Sequence, residues 1–173
     1  VFLDLKWHDI PNTVRGAVAA ARELGVAMAT VHLLGGLEML AAAQREAGTA
    51  LALVGVTVLT SHDAASFGRA IGRTPVSVPD EVERLAGLAV EAGLAGVVCS
   101  PHESRAMRDQ LGPDARIVVP GIRRAGDGAG DQRRTASPAE AIAAGATHLV
   151  VGRALTDAGD PAGVLDELLG AAA

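Results

Sequence analysis

Residues 1–13 read Val-Phe-Leu-Asp-Leu-Lys-Trp-His-Asp-Ile-Pro-Asn-Thr. The first five predict a β-strand, Val1–Leu5, and Pro11 opens a predicted helix, Pro11–Leu24. Proline suits a first helical turn because the N–H it lacks has no partner there. Side chains two apart share a strand face, so Phe2, Asp4 and Lys6 point one way and Val1, Leu3 and Leu5 the other. The apolar set is expected to meet the helices. Asp4 and Lys6 then face the opposite side of the sheet, at the C-terminal end of their strand.

The same strand-then-helix unit recurs outward from this stretch. Further strands are expected at Val26–His32, Leu51–Val58, Ala95–Cys99, Arg116–Val119 and His148–Val151. Helices are expected at Gly36–Ala47, Pro79–Ala92, Pro101–Leu111, Pro138–Ala144 and Pro161–Leu169, with an extra segment around Ala64–Ile71. Proline opens five of the six main helices, and Gly25, Gly48, Gly93, Gly112, Gly145 and Gly170 stand where each should end. Strict βα alternation predicts an α/β fold with a parallel sheet and helices outside it. An open doubly wound sheet and a (β/α)8 TIM barrel both fit. A barrel needs eight units and ~250 residues, yet the chain opens inside a strand with no Met and no preceding helix. The preferred expectation is a single partial barrel domain, 1–173, holding strands three to eight and lacking the first two βα units.

Composition narrows the function. Of 173 residues, 49% are hydrophobic and 20% charged, an ordinary globular mix. A net charge of −5, with one Trp, two Phe and no Tyr, argues against nucleic acid, which calls for a basic face and stacking rings. The lone Cys99 lies in the apolar run Ala95–Cys99 and is expected to be a buried core thiol. No apolar stretch reaches the ~20 residues of a membrane span and no signal peptide opens the chain, so a cytoplasmic location is expected. His8, His62, His102 and His148 are scattered without ligand spacing, and no metal is assigned.

Two regions carry chemistry. Lys6 is the single lysine among 15 basic residues and lies between Asp4 and Asp9. The plain alternative is a structural ion pair, with Asp9 capping the next helix. Burying two charges is costly and seldom repaid in stability, which favours a functional role. An ammonium so placed can stabilise a developing anion and then deliver a proton to it. At the other end of the chain, Arg116–Val119 runs into Pro120-Gly121-Ile122-Arg123 and His148–Val151 into Gly152-Arg153. Loops after the last two strands of such barrels commonly hold phosphate. Glycine lets backbone N–H groups approach an anion, and arginine offers a fork matched to its oxygens. The plain alternative there is a turn glycine beside solvated arginines. Thr60 and Ser61, after the third visible strand, could equally be local turn caps or donors to a ligand.

Asp-Leu-Lys-Trp-His-Asp-Ile-Pro-Asn-Thr resembles the signature of orotidine 5′-monophosphate decarboxylases at nearly every position. Pro-Gly-Ile-Arg, Gly-Asp-Gln-Arg-Arg and Val-Gly-Arg follow in the expected order, so the resemblance spans essentially the whole chain. It implies a cofactor-free homodimer that converts orotidine 5′-monophosphate to UMP and carbon dioxide. Lys6 would be the proton donor to C6, with Asp4 against the substrate carboxylate. Asp9 would act in the partner's site, with Ile10 and Thr13 close to the partner's ligand. Thr60 or Ser61 would hydrogen-bond the base. Pro120, Arg123, Gly152 and Arg153 would serve the phosphate region, and Gln132, on a lid, would bridge the base and phosphate ends. His32, in Val31-His32-x-x-Gly35-Gly36, would be a supporting or packing residue. The resemblance also implies a further lysine and a ribose-binding aspartate that the missing units would carry.

Two other readings stay open. A magnesium-dependent keto-gulonate phosphate decarboxylase or hexulose phosphate synthase shares Asp-x-Lys-x-x-Asp but not Ile-Pro-Asn-Thr. An inert phosphate-binding fragment is the third.

Overall fold

Apolar residues along this chain switch between a spacing of two and a spacing of three to four, and the backbone follows them. The computed structural model describes residues 1–123 and 134–172, so Gln132 and most of the expected lid, residues 124–133, lie outside the described residues. The strands are Phe2–Trp7 (β1), Met28–His32 (β2), Ala52–Val56 (β3), Gly96–Val98 (β4), Arg116–Val119 (β5) and His148–Leu149 (β6). The helices are Pro11–Glu23 (α1), Gly36–Ala47 (α2), Ala64–Ile71 (α3), Val78–Glu91 (α4), Ser104–Leu111 (α5), Pro138–Ala143 (α6), Arg153–Thr156 (α7) and Pro161–Ala172 (α8).

Each strand pairs in parallel with the next, in the order β1-β2-β3-β4-β5-β6. A doubly wound sheet reverses its strand order at a switch point. This sheet never reverses, which is the winding of a (β/α) barrel. Among the described residues β1 and β6 each have one neighbour, so the sheet has two open edges.

The two faces of the sheet hold different side chains. Leu3, Ala29, Val31, Leu53, Val97, Ile117 and Val119 face the helices. They meet Val14 and Val18 of α1, Leu40 and Ala43 of α2, Val82, Leu85 and Ala89 of α4, and Met107 of α5. That three-to-four spacing is the buried stripe of an outer helix. The inner face carries a smaller cluster of Met28, Val54 and Val118, flanked by Phe2, Ala52, Val98 and Val150.

Several expectations need correction. The first strand runs on through Lys6 and Trp7, and Leu5 is 61% exposed rather than packed on helices. The cause is a bulge: Leu3 pairs with Ala29 and Trp7 with Val31, so four steps along β1 match two along β2. Extra residues break the alternation of faces, and Trp7 packs on the core in place of Leu5. The strands expected over Leu51–Val58 and His148–Val151 are shorter than read. Pro101 opens a 3-10 turn ahead of α5, Pro79 is the second residue of α4, and Gly170 lies inside α8. The short α7, Arg153–Thr156, adds a helical turn where the sequence predicts none.

Candidate active site

Strand ends and the loops beyond them converge on a cavity of about 320 Å³. Its floor is apolar, made by Phe2, Val56, Val98, Val118 and Val150 of the inner face. Asp4 comes from the middle of β1 and Lys6 from near its end, Thr60 and Ser61 from the loop after β3, Cys99 from beyond β4 and Pro120 from beyond β5. Apart from Asp4, the polar contributions lie at or beyond the C-terminal ends of their strands, where barrels of this kind keep their chemistry. A larger cavity, about 610 Å³, lies between α3, α4 and α5, outside the sheet and away from Lys6. The smaller one holds the reactive groups, and it is the candidate site.

Lys6 Nζ donates to Asp4 Oδ2 at 2.6 Å, with the two side chains 39% and 41% exposed. The pair is therefore half-buried at the open edge of β1, not the enclosed ion pair that the alternation of faces suggests. Such a pair adds about 0–1 kcal/mol to stability, so stability is not its main effect. Its geometry is held from behind by Thr30 on β2, which is fully buried. Thr30 Oγ1 accepts from the Lys6 backbone N–H at 2.8 Å and donates to Asp4 Oδ1 at 3.0 Å. Lys6 has φ +52°, a left-handed conformation that no other described non-glycine residue adopts. The bulge produces that backbone, and the Thr30 contact holds it. The result is an ammonium aimed into a largely apolar cavity, a good place to meet developing negative charge.

Reading the sequence missed Thr30. The signal was a single hydroxyl in the otherwise apolar run Val26–Val31, on the same face as Met28 and His32. His32 packs its ring on His8, with centroids 5.3 Å apart, and its Nδ1 accepts from Leu34 N–H at 3.4 Å. Burial, then the neighbouring His8 and Lys6, push its pKa down to about 4. It is thus a neutral packing group near pH 7.

The remaining candidates divide by location. Thr60 is buried and Ser61 exposed, and both line the cavity. Asp9, Ile10 and Thr13 do not line it; they are exposed beyond the end of β1. Asp9 does not cap α1. Ile10 stands at the cap position, and its N–H donates to Asp9 Oδ1 at 2.6 Å. Arg123 is half-buried after β5 and donates to the Ile122 carbonyl at 2.8 Å. Gly152 and Arg153 are exposed at the start of α7. Cys99 is buried, and burial pushes its thiol up to about 12, which makes it inert.

The chain is similar to known proteins over nearly its whole length. The model of the "Orotidine 5'-phosphate decarboxylase / HUMPS family" matches residues 1–168. An orotidine 5'-phosphate decarboxylase of Anaeromyxobacter sp. (strain K) is 56% identical over 164 residues, 94% of this chain and 70% of the relative. One from Halorhodospira halophila is 55% identical over 166 residues, 94% of this chain and 69% of the relative. The crystal structure of an orotidine 5'-phosphate decarboxylase from Lactobacillus acidophilus superposes with a TM-score of 0.83 at 35% identity, over 99% of this chain and 74% of that one.

Proposed function

This chain belongs to the orotidine 5′-phosphate decarboxylase / HUMPS family, and from that we propose that it converts orotidine 5′-monophosphate to UMP and carbon dioxide in pyrimidine synthesis. The bond between C6 and the carboxylate carbon breaks, carbon dioxide leaves, and the electron pair stays at C6. The Lys6 ammonium stabilises that charge and passes a proton to C6. Asp4 lies against the departing carboxylate. Thr60 or Ser61 holds the pyrimidine, while Pro120, Arg123, Gly152 and Arg153 serve the phosphate, with Gln132 joining the two ends. No cofactor takes part.

The assembly we propose is a cytoplasmic homodimer in which Asp9, with Ile10 and Thr13, completes the partner's site. The exposure of these three residues, away from their own cavity, supports that reading. We further propose that the six βα units are part of one eight-unit barrel, with two more strands closing the free edges of β1 and β6.

The observation that carries the reaction is the Lys6–Asp4 contact of 2.6 Å at the mouth of an apolar cavity. The test is UMP formation by the intact protein, with and without a metal chelator, set beside Lys6→Ala. Turnover should survive the chelator and disappear in the variant. Loss of turnover on chelation would favour the magnesium-dependent relatives. A variant keeping more than a tenth of wild-type kcat/KM, under ~1.4 kcal/mol of transition-state stabilisation, would remove the role of Lys6.

A further inference from the structure

Behind the cavity wall that carries Thr60 and Ser61 lies an ion pair that takes no direct part in the reaction. Glu103, in the turn after β4, accepts from Arg134 Nη1 on one carboxylate oxygen, and the two side chains are only 8% and 12% exposed. Its other oxygen accepts from the Ser100 N–H at 3.0 Å and from the Ser100 hydroxyl. The second arm of the guanidinium, Nη2, donates to the carbonyls of Val58 at 3.1 Å and Leu59 at 3.2 Å. One side chain thus ties together the loop after β3, the turn after β4 and the stretch leading into α6.

Stability is a poor explanation for this arrangement. Desolvating two charges costs several kcal/mol per ion by general estimates, and apolar replacements often do as well or better. What a buried guanidinium supplies is direction, because its planar fork orients a carboxylate and neighbouring carbonyls together. Direction is what this loop needs. The last ladder contact is Thr57 N–H to the Val98 carbonyl at 3.1 Å, and after it the chain leaves the sheet. Leu59 then closes a turn by accepting from His62 N–H at 3.0 Å. Thr60 and Ser61 lie inside that turn, next to the two carbonyls that Arg134 grips.

We propose that Glu103 and Arg134 are positioning residues for the decarboxylation: the pair grips the Val58 and Leu59 carbonyls and so fixes Thr60 and Ser61 against the pyrimidine, across the cavity from Lys6. This deepens the proposed function and rests on its assignment of Thr60 and Ser61 to the base.

The test is a double-mutant cycle on the intact enzyme, combining Arg134→Lys with the paired change Thr60→Val and Ser61→Ala. Lysine keeps the charge but cannot hold a carboxylate and two carbonyls in one plane. Alone, Arg134→Lys should lower kcat/KM at least tenfold, up to the ~100-fold that a misplacement of 1 Å costs. In the background lacking both hydroxyls it should cost less than about threefold, because the groups it positions are gone. The same loss in both backgrounds means general destabilisation and overturns the proposal, as does wild-type kcat/KM for Arg134→Lys. If the Thr60→Val, Ser61→Ala enzyme itself keeps wild-type kcat/KM, the assignment to the base fails, a result distinct from failure of the grip. Should Arg134→Lys not fold, Glu103→Gln enters the same cycle, with the same pattern expected and the same two results against it.

Discussion

Thr30 joins the backbone of Lys6 to the carboxylate of Asp4, and that one hydroxyl holds the reactive pair together. Residues in the left-handed region cost on the order of 1–3 kcal/mol and persist only where their surroundings hold them. At Lys6 the Thr30 hydroxyl does this. Thr30→Val keeps the size of the side chain and deletes both contacts, leaving an N–H and a carboxylate oxygen short of a partner. We predict a loss of about 1–3 kcal/mol in urea unfolding and a fall in kcat larger than any change in KM. Thr30→Ser, which keeps the hydroxyl, should recover most of both. Wild-type kcat for the valine variant would show that Lys6 is placed without Thr30.

The strands set the shape of the site by how closely they approach. Gly96 opens β4 beside Arg116 of β5, and a Cβ at Gly96 would overlap the Arg116 backbone, its carbonyl oxygen first. Backbone cannot swing aside as a flexible side chain can. Gly96→Ala should therefore cost about 1–3 kcal/mol or more, the range for overpacking, read as a lower midpoint in a circular dichroism melt. Gly87, inside α4, makes an informative contrast because a Cβ there meets nothing within 4 Å. Gly87→Ala should stabilise by about 0.5–1 kcal/mol through helix propensity and a less free unfolded chain. If both changes shift the midpoint alike, strand approach is not the constraint at Gly96.

The molecule as a whole presents Asp9 outward, which makes the proposed dimer testable by exchange. Lys6→Ala and Asp9→Ala homodimers should each be inactive. After subunit exchange, each mixed dimer has one site with both defects and one intact site. Random pairing then returns about a quarter of wild-type activity, by the two-fold symmetry of the assembly. Verified exchange with no recovery would place Asp9 in its own subunit's site and end the shared-site reading. The open edges of β1 and β6 belong to the same level of description. Unpaired edge strands attract other chains, so their closure by further strands would also limit aggregation.

Much was legible in the residues because the responsible forces are local. Strand and helix periods differ, proline and glycine mark helix ends, and a charged pair two apart on a strand shares one face; none of this requires knowing a neighbour. Hence the parallel α/β alternation, the span of α2 at Gly36–Ala47, and the inward aim of Asp4 and Lys6 could all be read in advance. What could not be read depends on register between distant segments. The bulge that exposes Leu5 exists only because β1 pairs unevenly with β2. Thr30 meets Lys6 across 24 positions, and Arg134 meets Glu103 across 31. Such contacts form only when the sheet brings the segments together, since their energies depend on distance and direction and leave no period along the chain.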